Sequence, residues 1–110
     1  MNSFKQHFNE ANIPNWTSLV SQNKELQAAL GLVAEIERLG GEALIVGGAV
    51  RDLMMGNQPH DIDIATNVPL DKIEARFKTY NVGQGKDFGV IVVPYNGFDF
   101  EVASMRKDIY

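Results

Sequence analysis

At 110 residues the chain has the length of one domain, enough to bury roughly 65% of the surface its unfolded form exposes and to fold without staples. Its 45% hydrophobic and 22% charged residues exclude disordered and fibrous classes, and the absence of cysteine excludes disulfide frameworks and thiolate metal sites, leaving carboxylates as metal ligands. A net charge of −4 and a pI near 5.0 exclude a broad basic face, so any grip on nucleic acid is local or supplied from elsewhere.

Met1 to Gln22, with Phe4, Phe8, Ile13, Trp16, Leu19 and Val20, reads as an N-terminal arm (1–22) that packs on the domain, with a short amphipathic helix around Phe4 and Phe8 and a break at Pro14. Its start has no apolar signal core, and no later run approaches a membrane-spanning length, which points to a cytoplasmic protein without membrane contact. The domain proper is read as 23–110. From Asn23 to Leu39 the residues Leu26, Leu30, Val33 and Leu39, with Leu32 and Ile36 beside them, recur at helical spacing until Gly40-Gly41 stops the run.

The central stretch runs from Ala43 to Thr66. Ala43-Leu44-Ile45-Val46 has strand composition, Gly47-Gly48 allow a tight turn, and Ala49 to Met55 is free of Gly and Pro and can be helical. A triphosphate would meet bare backbone N–H groups there. After a Gly56-Asn57-Gln58-Pro59 turn, His60 to Thr66 is predicted as a strand of period two. Asp61 and Asp63 then point one way and Ile62 and Ile64 the other, with the two aspartates roughly 6–7 Å apart at Cα. That separation lets their side chains share divalent ions.

Pro69 near a first turn and the Ile73–Phe77 pair predict a helix over Leu70 to Phe77. Gly83, Gly85 and Lys86 mark a loop over Tyr80 to Phe88. Asn96-Gly97 is a strong hairpin signal between Phe88 to Tyr95 and Phe98 to Ala103. A two-residue loop pairs Tyr95 with Phe98, Val93 with Phe100 and Ile91 with Val102 on the core face, leaving Asp99 and Glu101 on the other. If Asp61 and Asp63 point to that face, a third carboxylate joins them.

Converging carboxylates beside a Gly-Gly turn suit metal-assisted phosphoryl or nucleotidyl transfer. Two divalent ions about 3.5–4 Å apart lower the pKa of an attacking hydroxyl and stabilise leaving pyrophosphate, while backbone amides orient the triphosphate. Mg²⁺ fits such a donor set, with Mn²⁺ able to substitute.

Gly47-Gly48-Ala49-Val50-Arg51-Asp52 followed by Asp61-Ile62-Asp63-Ile64-Ala65-Thr66 resembles the head-domain signature of class II CCA-adding enzymes and bacterial-type poly(A) polymerases, within the polymerase-beta-like nucleotidyltransferases. The resemblance continues through Val82-Gly83, Gly89 to Val93 and Glu101-Val102 to near Arg106. It implies an α/β (α+β) head: a mixed, mostly antiparallel sheet flanked by helices. It implies that Asp61 and Asp63 are metal-binding catalytic carboxylates, that Gly47 and Gly48 line the triphosphate, and that Arg51 and Asp52 support the nucleotide. Glu101 falls at an acidic family position as third carboxylate, with Asp99 the alternative, and Arg106 at a basic one.

The implied activity is addition of nucleotides from CTP or ATP to an RNA 3′ hydroxyl, that of tRNA, with most RNA contacts outside this chain. Ala103-Ser104-Met105 and Asp87-Phe88 depart from the family pattern at the rim of the site, and the family's later base-reading motifs do not occur. The expectation is therefore an N-terminal fragment of a longer enzyme. The competing expectations are a truncated or degenerate nucleotide-binding module without catalysis, and a free-standing minimal nucleotidyltransferase with another acceptor.

Overall fold

The computed structural model describes residues 13–81 and 89–105. The helix expected around Phe4 and Phe8, the loop residues Gly83, Gly85 and Lys86, and Arg106 lie outside the described residues. In chain order the elements are α1 (Trp16–Ser21), α2 (Lys24–Glu37), β1 (Ala43–Val46), α3 (Gly48–Met54), β2 (Asp63–Thr66), α4 (Leu70–Arg76), β3 (Val90–Tyr95) and β4 (Phe98–Ser104). None of the helices in these residues is long and apolar enough to cross a membrane.

The long helix forms where its sequence allows both a start and a buried face. The Asn23 side chain accepts a hydrogen bond from the Leu26 N–H at 2.8 Å, which satisfies one of the orphan donors of the first turn. Leu26, Ala29, Leu32, Val33 and Ile36 make the buried stripe. Burying a side chain such as Leu26 or Leu32 contributes about 1.5–3 kcal/mol. Ile13 and Leu19 join the same core cluster, with Trp16 and Val20 packed against it.

The four strands form one sheet in the order β1-β2-β4-β3. β1 is antiparallel to β2, and β3 to β4, while β2 and β4 are parallel in the middle. The sheet is thus mixed and mostly antiparallel, as the sequence implied. The hairpin register also agrees: Tyr95 faces Phe98, Val93 faces Phe100 and Ile91 faces Val102. Asn96 (φ 49°) and Gly97 (φ 89°) both take positive φ, the signature of the type I′ turn that matches strand twist. Val92 exchanges two hydrogen bonds with Tyr80 on the outer side of β3. Because backbone direction alternates, Pro94 also faces outward, so its missing N–H costs no bond to β4 and discourages further strand addition.

β2 is shorter than the predicted strand. It begins at Asp63, whereas Asp61 has φ 51° and stands in a bend outside the ladder. The reason is partner supply: Val46, the last residue of β1, pairs with Asp63, and the chain turns away at Gly47. The alternation of faces nevertheless persists, with Ile62 and Ile64 buried and Asp61 and Asp63 exposed.

The far end of β2 is held by its neighbours. Thr66, the buried polar residue there, donates its hydroxyl to the Glu42 carbonyl at 2.6 Å and accepts from the Val68 N–H at 3.0 Å. A Cβ at Gly41 would collide with Asn67 Oδ1 and stand 2.7 Å from Val68 Cγ2. Gly41→Ala is therefore expected to destabilise by about 1–3 kcal/mol, measured by urea unfolding; an unchanged midpoint would show that the Asn67 turn gives way freely.

Candidate active site

Two features of the backbone bring the chemistry together. β1 ends opposite Asp63, so the chain leaves the sheet beside that carboxylate. Gly47 there takes φ 76° and ψ −150°, a conformation essentially confined to glycine. A Cβ at Gly47 would lie 3.8 Å from Asp63 Oδ2, which places the Gly-Gly turn against the acid. On the other side, the parallel register that pairs Ile64 with Val102 sets Asp63 next to Glu101 when followed one residue back.

The resulting open cleft has a volume of about 290 Å³ and is lined by Glu25, Asp61, Ile62, Asp63, Asp99 and Glu101. Among the described residues, five carboxylates thus share it with one isoleucine and no cationic side chain. Partial loss of solvent at its place beside the turn raises the otherwise exposed Asp63 carboxyl above the usual carboxylate range, and the negative charges of Glu101 and then Asp61 raise it further. All three predicted acids therefore meet around Asp63.

Glu101 and Asp99 are distinguished by their surroundings. Glu101 pairs across the sheet with the buried Val92 and acts electrostatically on Asp63. Asp99 lies further out and accepts a 2.6 Å hydrogen bond from the Tyr80 hydroxyl. That bond, some loss of solvent and the Asp99 charge hold the phenol above its ordinary value. Asp99 is engaged at the rim, which leaves Glu101 as the acid beside Asp63.

Arg51 and Asp52 stand outside the acidic lining. The Arg51 guanidinium folds back over the turn, with Nη2 3.3 Å from where a Gly48 Cβ would be. No salt bridge or side-chain hydrogen bond joins it to another described residue. Asp52 is half-buried and uses its backbone carbonyl to accept from the Asn57 N–H at 2.8 Å, closing the turn after α3. Glu25 and Tyr80 were not legible as site residues. Glu25 sits in the first turn of a helix read as structural, and Tyr80 at the start of a loop; neither carries a local signal.

The donor set suits a divalent ion of the Mg²⁺ type, which takes oxygen ligands and is commonly held by one or two carboxylates together with phosphate oxygens and waters. Among the described residues no three Asp, Glu or His side chains already converge closely enough to hold an ion by themselves. The carboxylates of the cleft fit a site completed by phosphate oxygens.

The raised Asp63 carboxyl has a consequence for stability. The folded state keeps its proton at a pH where the unfolded chain has released it, so this residue lowers stability as pH rises from the unfolded carboxylate value through the folded one. In EDTA, Asp63→Asn is expected to melt above the wild type at pH 7, with the gap closing as pH falls towards 4. A gap that stays constant or widens on acidification would rule out the raised carboxyl as its cause.

Known proteins share this fold and sequence. The poly A polymerase head domain family matches residues 43–110. The CCA-adding enzyme of Geobacillus thermodenitrificans (strain NG80-2) is 45% identical over 83 residues, covering 74% of this chain and 20% of that protein. The CCA-adding enzyme of Streptococcus pyogenes serotype M2 is 37% identical over 93 residues, covering 84% of this chain and 23% of that protein. A crystal structure of the Bacillus stearothermophilus CCA-adding enzyme in complex with CTP superimposes with a TM-score of 0.65 at 40% identity, over 74% of this chain and 20% of that one. The chain therefore spans about a fifth of the length of the curated relatives it matches. With a family model matched over residues 43–110 and the fold shared with that structure, this chain belongs to the poly A polymerase head domain family, a branch of the polymerase-beta-like nucleotidyltransferases.

Proposed function

We propose that this domain is the nucleotidyl-transfer centre of a metal-dependent RNA nucleotidyltransferase, adding nucleotides from CTP or ATP to the 3′ hydroxyl of an RNA, in the first instance tRNA. The observation that carries the reading is the position of Asp63, with the Gly47 turn on one side and the charge of Glu101 on the other. In this reading Asp61 and Asp63 hold Mg²⁺ or Mn²⁺, and Glu101 is the third carboxylate. When bound, the ion lowers the pKa of the attacking hydroxyl and neutralises charge on the leaving pyrophosphate.

The remaining work belongs to the chain. Gly47 and Gly48 present backbone without side chains to the triphosphate, and Arg51 supplies a cation over the turn. Asp52 supports the site from the half-buried side of α3. The carboxylates orient the donor so that the 3′ oxygen bonds to the α-phosphorus as the bond to pyrophosphate breaks, and the hydroxyl proton passes to solvent. Relatives named as CCA-adding enzymes, one of them seen with CTP, support this choice of donor and acceptor.

The test is to titrate ATP and CTP with Mg²⁺ or Mn²⁺ into the 110-residue chain and then to offer a tRNA lacking its 3′ end with labelled nucleotide. Metal-dependent binding with incorporation is the expected result for a self-sufficient centre. Binding without incorporation would assign this chain the role of a nucleotide-binding module, and no metal-dependent binding would overturn the reading.

A further inference from the structure

Asp61 differs from its partner Asp63 in how it is held. Asp63 belongs to the sheet ladder, paired with Val46, whereas Asp61 precedes the ladder with φ 51°. Its position is set by the segment 56–60, whose beginning is tied to α3 by the Gly56 N–H donating to the Leu53 carbonyl at 2.9 Å and the Asn57 N–H to Asp52 at 2.8 Å. Closer to Asp61 the tie is long-range. Asn23 Nδ2 donates to Gln58 Oε1 at 2.8 Å, in a half-buried bond joining residues 35 apart in sequence. Asn23 cannot swing away freely, because its Oδ1 already accepts from the Leu26 N–H at 2.8 Å as the cap of α2. The following Pro59 is buried, which passes that constraint along a stiff segment towards Asp61.

We propose that Asn23 and Gln58 are positioning residues for the catalytic centre: their hydrogen bond latches the 56–60 segment to the start of α2 and so places Asp61 to share a metal ion with Asp63. This rests on the proposed function above. It also assigns α2 a part in the site, in keeping with Glu25 on its first turn lining the same cleft. Partners that orient metal ligands without touching the ion typically alter metal affinity about 10–100-fold when removed.

The test uses the full chain with Gln58→Leu, with Asn23→Ser, which keeps the helix-capping oxygen but loses the amide donor, and with the double variant. The first readout needs no metal: in EDTA the backbone order parameter of Asp61 is expected to fall to about 0.6 or below in each variant, while Ile64 stays near about 0.85. The second is Mn²⁺ affinity in the presence of ATP, expected to weaken about 10-fold in each single variant and no further in the double, because both changes break one bond. An unchanged Asp61 order parameter, or losses that add in the double variant, overturns the latch. If the wild type itself fails to bind Mn²⁺ with ATP, the proposed function is lost, and the order parameter alone decides whether Asn23 and Gln58 hold Asp61. A variant that unfolds shows loss of order at Ile64 as well, and Gln58→Glu, which retains the acceptor for Asn23, then decides: order at Asp61 matching the wild type supports the latch, and disorder confined to Asp61 overturns it.

Discussion

Replacing Asp63 by asparagine is expected to remove metal-dependent nucleotide binding while leaving the fold intact. The side chain keeps its size, and Asp63 is exposed, so no core contact is lost. What changes is chemistry: the amide has one acceptor oxygen and no charge, and a hard divalent ion takes charged oxygen ligands in preference. Asp63 is the acid on which Glu101 and Asp61 act and against which the Gly47 turn lies. Its loss should therefore exceed the about 10–100-fold typical of residues that only orient a ligand. Calorimetric titration of ATP with Mn²⁺ measures this, and binding by Asp63→Asn within a few fold of wild type would refute the assignment of Asp63 as a ligand. The corresponding change at Asp61 is best made as Asp61→Asn, because asparagine tolerates the positive φ of 51° whereas alanine would add backbone strain.

The largest effect on stability is expected at Phe100. It is fully buried, faces Val93 across the hairpin, and lies between Asp99 and Glu101 on β4. Truncation to alanine is expected to cost about 3–5 kcal/mol from lost transfer energy and the cavity left behind. A domain of this size has a total stability of about 5–15 kcal/mol, so a large share is at stake. Denaturant unfolding measures the loss. A cost below about 1 kcal/mol would mean that the core refills the space, contrary to its close packing on both strands. Because Phe100 is the buried neighbour of Glu101 on β4, the cleft should respond too, with Glu101 less well placed beside Asp63 even under conditions where the variant stays folded.

Short-range signals account for much of what could be read beforehand. The α2 stripe from Leu26 to Ile36, the Ala43–Val46 strand and the Asn96-Gly97 hairpin each depend on spacing within a single element or a two-residue turn. In each, hydrophobic period or turn chemistry agrees with the final burial, which is why the register of Phe100 and Glu101 followed directly. The Asp61-x-Asp63 pattern was legible as two carboxylates on one side, but not the extent of the strand that carries them. That depended on how far β1 runs before Gly47 turns away, a property of the neighbouring chain.

By itself, then, the sequence determined α2 to α4, β1 and the hairpin strands, the faces of β2 and the hairpin, and the motif residues that mark the family, but not the helix Trp16–Ser21 within the arm. Tertiary structure alone decided which acids meet. The parallel pairing of β2 with β4 places Glu101 near Asp63, and Tyr80 engages Asp99 from a separate segment. Glu25 enters the cleft from α2, and Asn23 reaches Gln58 across 35 residues. These relations have no local period or turn signature, because they arise from how helices and strands distant in the chain pack on one core.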